Sequence, residues 1–249
     1  MSLPSILVIN PNITVSVTEQ VARAAAPICA GLAQVHTATA PWGAPYISDE
    51  ASYAVGAHAG LETWARFIHA GGRPDAVLLA CFGDPGLLAL RDSSAAPVTG
   101  LAEAALLEAA ERGRFAIVTG GVHWPPMLQR LCRDLGVAHA LAGVEVVPAT
   151  GAELAQDPER AHVLIAQACR EAHRRYAPET LILGGAALAG MAQRLQPELG
   201  LPLIDSVEAG VRRALRLAQQ APDLGKRNGF RIRWQGLGDA MAALGPRKA

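Results

Sequence analysis

The segment Leu78-Leu79-Ala80-Cys81-Phe82-Gly83-Asp84-Pro85-Gly86-Leu87 carries an aliphatic run to a cysteine and then turns through glycine and proline. A thiol at the carboxyl end of a buried strand faces the place where open parallel sheets take their ligands, so Cys81 is a candidate proton carrier. If Gly86 and Leu87 open a helix, its free N–H groups would favour the thiolate and lower a thiol pKa that is ordinarily about 8.5. The competing reading of Cys81 is a small hydrophobe packed at a strand end. Two further strand ends offer neutral donors, Asn10-Pro11-Asn12-Ile13-Thr14 and Val118-Thr119-Gly120-Gly121-Val122-His123. Backbone N–H groups freed by glycine, beside an Asn or Thr side chain, suit a carboxylate or a developing oxyanion. As plain structure, the same residues make an Asx turn with a helix cap and a glycine turn. His123 reads either as a general base in the cleft or as a loop histidine beside Trp124 and two prolines. Cys132 recurs with Met127, Leu128, Leu131 and Leu135 at helical spacing and reads as core, as do Cys29 and Cys169 on Ala-rich helices.

Short aliphatic runs alternate with longer amphipathic stretches, the pattern of an α/β protein whose parallel strands are buried on both faces. Strands are expected at Ser5–Ile9, Val35–Thr39, Ala76–Cys81, Phe115–Thr119, Val144–Val147, Thr180–Gly184 and Leu203–Ile204. Helices are expected at Thr14–Gly31, Asp49–Ala70, Gly100–Arg112, Pro125–Leu135, Gly151–Tyr176 and Ser206–Gln219. The spacing of the first three strands recurs in the next three, which indicates an internal duplication: two similar lobes with a cleft at the carboxyl ends of their strands. Residues 1–98 with 206–222 would form the first lobe and 99–205 the second. Residues 223–249 would form a C-terminal tail; its segment Lys226 to Ala249 is basic and glycine-punctuated, as in a docked or frayed tail.

Composition removes several classes. The 249 residues are 51% hydrophobic and 18% charged with a formal net charge of zero, a make-up that suits a large core and lacks the basic excess that holds nucleic acid or anionic lipid. Apolar runs are far shorter than the roughly 20 residues of a membrane span. No basic region precedes the run Ile6 to Ile9, so no secretory signal is read and a cytoplasmic location is expected. The four cysteines are widely spaced without a CxxC, against a zinc knuckle or a dithiol centre, and no metal site is expected. The only lysines are Lys226 and Lys248, which removes pyridoxal phosphate and Walker-type chemistry from the core.

Taken in order, Ile9-Asn10-Pro11-Asn12, Ala80 to Leu87 and Leu203-Ile204-Asp205-Ser206-Val207-Glu208-Ala209 resemble the Asp/Glu/hydantoin racemase superfamily, closest to its hydantoin racemase branch, over about residues 5 to 218. The resemblance implies two flavodoxin-like lobes related by a pseudo-twofold axis, no cofactor, and a substrate held between two cysteines that exchange the proton α to a carbonyl. It assigns Cys81 as the first of these and Asn12, Thr119, Gly120 and Gly121 as contacts to a substrate carbonyl or carboxylate; Phe82, Gly83 and Gly184 are further candidate substrate contacts. It fails at one place. Relatives carry a Gly-Cys pair where this chain reads Gly184-Gly185, so Gly185 stands at the second cysteine, and a water or His123 would have to serve that face. The first reading is therefore a cofactor-independent racemase or epimerase of an amino acid or hydantoin-type derivative. The second is a one-cysteine decarboxylase of a malonate-like acid, a chemistry that occurs in the superfamily and needs a single proton donor. The third is a non-catalytic protein that binds small acids. The partner in each case is a small carboxylate or hydantoin-like molecule. Trp42, Tyr46 and Trp64, read as surface residues, together with family habit, suggest a homo-oligomer.

Overall fold

The structure, a computed structural model, describes residues 3–149, 151–220 and 228–246. The chain runs β1 (Ser5–Asn10), α1 (Val15–Cys29), β2 (Gln34–Thr39), α2 (Glu50–His69), β3 (Ala76–Leu79), α3 (Leu87–Ser93), β4 (Val98–Gly100) and α4 (Leu101–Arg112). It continues through β5 (Phe115–Gly120), α5 (Trp124–Asp134), β6 (Leu141–Val147), α6 (Gly151–Gln156), α7 (Pro158–Tyr176), β7 (Thr180–Gly184), α8 (Met191–Leu199), β8 (Leu203–Asp205), α9 (Ser206–Ala218) and α10 (Asp239–Ala243). Two four-stranded sheets result, in the orders β2-β1-β3-β4 and β6-β5-β7-β8, with every pair parallel. The 2-1-3-4 order is that of flavodoxin-like sheets, and its repetition makes the two lobes topological copies.

Parallel strands need helical crossovers on both faces, so the central strands read as unbroken apolar runs. Ile6 to Ile9, Val77 to Leu79, Phe115 to Val118 and Leu181 to Leu183 are all buried. The edge strands β2 and β6 are largely half-exposed. One core lies where both lobes contribute: Ile6, Val8 and Leu78 from the first sheet meet Phe115 and Ile117 from the second, with Leu101, Leu106 and Val207 between. Helix α9 follows β8 of the second sheet and packs against β1, β3 and β4 of the first. Cys29, Cys132 and Cys169 are buried among these helices.

Several elements differ from the sequence reading. Val98–Gly100 pairs with β3, so the first sheet extends to residue 100 and not only to 98. The three residues follow Ala-Ala-Pro and give no periodicity to read. The single helix expected over Gly151–Tyr176 is two, because the Asp157 carboxylate accepts the Arg160 N–H (3.0 Å) and caps a new helix at that point. Helix α8 contains Pro197, which hid it. Strand β6 starts at Leu141, three residues early, since Gly143 leaves room for the Tyr176 ring.

The supposed surface aromatics are not a surface patch. Trp64 is fully buried, Trp42 donates to Glu62 Oε2 (2.8 Å), and Tyr46 lines a cavity. Of the tail, residues 228–246 are described, while Lys226 and Lys248 lie outside the described residues. Phe230 and Met241 pack on the outer face of the first sheet with Leu7, Ile9 and Leu79, and the Phe230 ring meets Trp64 edge-on at 5.9 Å. Deleting so buried an aromatic leaves a cavity, so Phe230→Ala should cost about 3 kcal/mol in a denaturant titration. A change within error would mean that the tail does not dock.

Candidate active site

The turn after β3 is the most constrained part of the site. Ala80 donates to Ile9 O (2.7 Å) and continues the ladder, and the Asp84 N–H donates back to Cys81 O (3.0 Å). Asp84 is one of two non-glycine residues with positive φ among those described (+55°), a conformation that short polar side chains tolerate best. Its carboxylate, 1% exposed, accepts the N–H groups of Ala102 (3.0 Å) and Glu103 (2.6 Å) in the first turn of α4. Burial outweighs these donors and, with the Glu103 carboxylate nearby, raises Asp84 to about 7. Glu103 is itself held by Arg91 (2.8 Å) and by Thr99 Oγ1 (2.9 Å).

This turn delivers Cys81 to the wall of a cavity of about 220 Å³ at the carboxyl ends of both sheets. Asn12 lies on the wall beyond β1, Cys81 and Phe82 beyond β3, Thr119 and Gly120 at the end of β5, and Gly184 and Gly185 at and after the end of β7. Cys81 follows β3 and Gly185 follows β7, so each lies just past the third strand of its own sheet, on the cavity wall.

The thiol behaves contrary to the sequence expectation. Helix α3 does begin at Leu87, but the Leu87 N–H is donated to Asp84 O, and the only described hydrogen bond of Sγ runs from the thiol to Phe82 O (4.0 Å). Burial pushes the thiol well above its usual range, and the Asp84 charge adds to the effect. Cys81 therefore rests as a protonated thiol, a proton donor.

Asn12 is oriented by its neighbours. Its Oδ1 accepts from Asn10 Nδ2 (3.0 Å) and from the Thr14 N–H (2.9 Å), and because a backbone N–H can only donate, the amide nitrogen is the end left for a ligand. Thr119 Oγ1 donates to Gly184 O (2.7 Å), so its proton is already used between β5 and β7, and it offers a ligand only lone pairs. Gly184 is required by close approach: a Cβ there would run into the Phe82 ring. Gly185 is different. Its φ of +146° favours glycine, while an added Cβ would meet nothing closer than Leu188 at 3.7 Å, so a cysteine has room there but a strained backbone.

Three expected contacts do not reach the cavity. Gly121 donates its N–H to Val147 O (3.3 Å), and Gly83 lies under the Trp124 ring with its carbonyl bonded to the Tyr53 hydroxyl (2.9 Å). His123 is exposed, sits just before α5 and faces Asp49, so it is not a base in the cleft. The sequence reading missed Tyr46, in the connection from β2 to α2, and the apolar walls Ile47, Trp124, Leu154 and Leu188. The signal for Tyr46 was its place in a loop at the carboxyl side of a parallel sheet. Among the described residues lining the cavity there is no Lys, Arg, His, Asp or Glu. No group of three His, Cys, Asp or Glu among the described residues is placed to hold a metal ion.

A topologically doubled parallel fold with a thiol at a strand end, facing a neutral cavity, defines a carbon-acid enzyme scaffold. The Asp/Glu/hydantoin racemase family matches residues 6–214, and the chain belongs to that family. It is 33% identical over 226 residues, 90% of its length and 95% of the relative's, to the hydantoin racemase of Paenarthrobacter aurescens. The allantoin racemase from Klebsiella pneumoniae superimposes with a TM-score of 0.85 at 28% identity, covering 98% of this chain and 100% of that one. Arylmalonate decarboxylase shares the fold at 20% identity, with a TM-score of 0.58 over 87% of this chain and 93% of its own.

The Asp84 carboxyl gives the site a pH signature. Its folded pKa is raised above an unfolded value of about 3.9, so its contribution is fully present below about pH 4 and is lost as pH rises through about 7. The melting temperature of the wild type relative to Asp84→Asn, which cannot titrate, should fall across that window. A difference that stays flat from pH 4 to 8 would contradict the burial argument.

Proposed function

We propose that this chain is a cofactor-independent racemase of a hydantoin-type substrate, with Cys81 carrying the proton at one face of the α-carbon. The observation that supports it most is a cavity holding Cys81 with no charged side chain among its described lining residues, in a chain whose relatives include hydantoin and allantoin racemases. A flat, neutral cyclic ureide suits walls made by Phe82, Trp124 and Ile47, whereas a malonate dianion or an amino-acid zwitterion would find no charged side chain among the described lining residues. That mismatch, with the racemase relatives, disfavours the decarboxylase and acid-binding readings.

Removal of the α-proton moves the electron pair of the C–H bond toward the adjacent carbonyl and leaves a planar enolate. The Asn12 amide N–H is a donor on the cavity wall for the negative oxygen, and its value is greatest where water is excluded. Protonation from the other face inverts the centre. With the proton resting on Cys81, the thiol is already in the form that can protonate the enolate, and removal of a proton by the thiolate is favoured as pH rises. On the family resemblance alone, the proposal includes a homo-oligomer and a cytoplasmic location. Among the described residues no helix is long and apolar enough to cross a membrane.

Resolved allantoin and 5-substituted hydantoins incubated in heavy water should lose optical rotation as deuterium enters the α-position. Cys81→Ala should abolish that racemisation, a loss of at least about 10²-fold, with its melting curve retained. A Cys81→Ala enzyme that racemises at the wild-type rate would make Cys81 a packing residue. Carbon dioxide release from malonates, without racemisation of any ureide, would instead favour the decarboxylase.

A further inference from the structure

A racemase needs a proton source on each face of the α-carbon, and the family resemblance puts Gly185 at the place of a second thiol. The cavity wall narrows the choice. Thr14 Oγ1 is donated to Pro45 O (2.6 Å) and Thr119 Oγ1 to Gly184 O (2.7 Å), so both hydroxyl protons are engaged. Asn12, Trp124 and Gln156 do not titrate, and His123 lies outside. Among the described lining residues, the side chains that titrate below the range of aliphatic alcohols are Cys81 and Tyr46.

Tyr46 is also held in place. The Ile13 N–H donates to Ala44 O (3.2 Å), the Thr14 hydroxyl bonds Pro45 O, and Ile47 is buried at 2% exposure. A half-buried phenol flanked on both sides by anchored residues is a rigid wall element rather than a surface aromatic. A phenol as a class can both give and take a proton, as a carbon acid requires.

We propose that the Tyr46 phenol is the second proton-transfer group, serving the face of the α-carbon that Cys81 does not. The inference rests on the racemase reading. In one direction the Tyr46 phenolate takes the α-proton and becomes the phenol, the C–H electron pair passes to the enolate, and the Cys81 thiol gives its proton to the other face and is left as thiolate. The reverse reaction resets the pair, so one proton is taken and one is given, with no oxidant or reductant. The catalytic pair is then asymmetric, a thiol from the β3 turn and a phenol from the β2–α2 connection, both from the first lobe. In a symmetric pair each lobe would supply a thiol.

The test is Tyr46→Phe, assayed with each resolved enantiomer of a hydantoin in heavy water by polarimetry and NMR together. Racemisation should fall about 10²-fold or more. One enantiomer, the one presenting its proton to Cys81, should still exchange that proton for deuterium with retention, because the thiolate can return a deuteron to the same face. A tyrosine that only shapes the wall would instead raise KM and leave exchange and inversion in their wild-type ratio, and that result would overturn the proposal. So would racemisation by Tyr46→Phe at the wild-type rate, which would give the second face to water. If the wild-type chain racemises no hydantoin or allantoin, the racemase reading itself fails and this inference fails with it.

Discussion

The carboxylate of Asp84, buried against the first N–H groups of α4, sets the shape of the turn that holds Cys81. The left-handed residue closes the chain back onto Cys81 O, and the short excursion carries Phe82 onto Gly184 and Gly83 under Trp124. A loop of the first lobe is thereby seated on the second through contacts that a side chain at either glycine would break. That seating also excludes solvent from the thiol, which is why its proton is retained. A loosened clamp would change both the position and the protonation of Cys81 together.

The alternation of buried strands and crossover helices was legible because a parallel sheet covered on both faces forces unbroken apolar runs, as at Ile6 to Ile9 and Leu181 to Leu183. What escaped were elements too short or too interrupted to show a period, such as Val98–Gly100 and the proline-bearing Met191–Leu199. Cys81 and Asn12 were legible as strand-end residues, Gly185 was singled out through the family resemblance, and with Phe82 they lie on the cavity wall. His123 was misplaced since sequence proximity to Gly120 says nothing about the turn at Gly121 that sends it to the surface. Tyr46 was passed over as a site residue because its loop carries no motif; only the folded chain brings it onto the wall of the cavity that holds the thiol. The depressed thiol pKa failed for a physical reason: a helix that begins six residues on spends its first N–H on Asp84 O.

The two lobes are copies in topology and unequal in chemistry. One presents a thiol after its third strand and the other presents a glycine whose backbone conformation disfavours any side chain. Around them the described wall carries no charged side chain and is mostly apolar, which suits a flat uncharged ring and strengthens electrostatic effects on the thiol. The fold supplies position and dryness, and a few residues on loops supply the reaction.

A crystal structure with an unreactive, planar hydantoin analogue would show whether this cavity is where the α-carbon meets the thiol. The ring should lie in the cavity, with the atom standing for the α-carbon about 3–3.5 Å from Cys81 Sγ and a ring carbonyl on the Asn12 amide nitrogen. A ring bound outside this cavity, or bound with that atom turned away from Sγ, would contradict that placement.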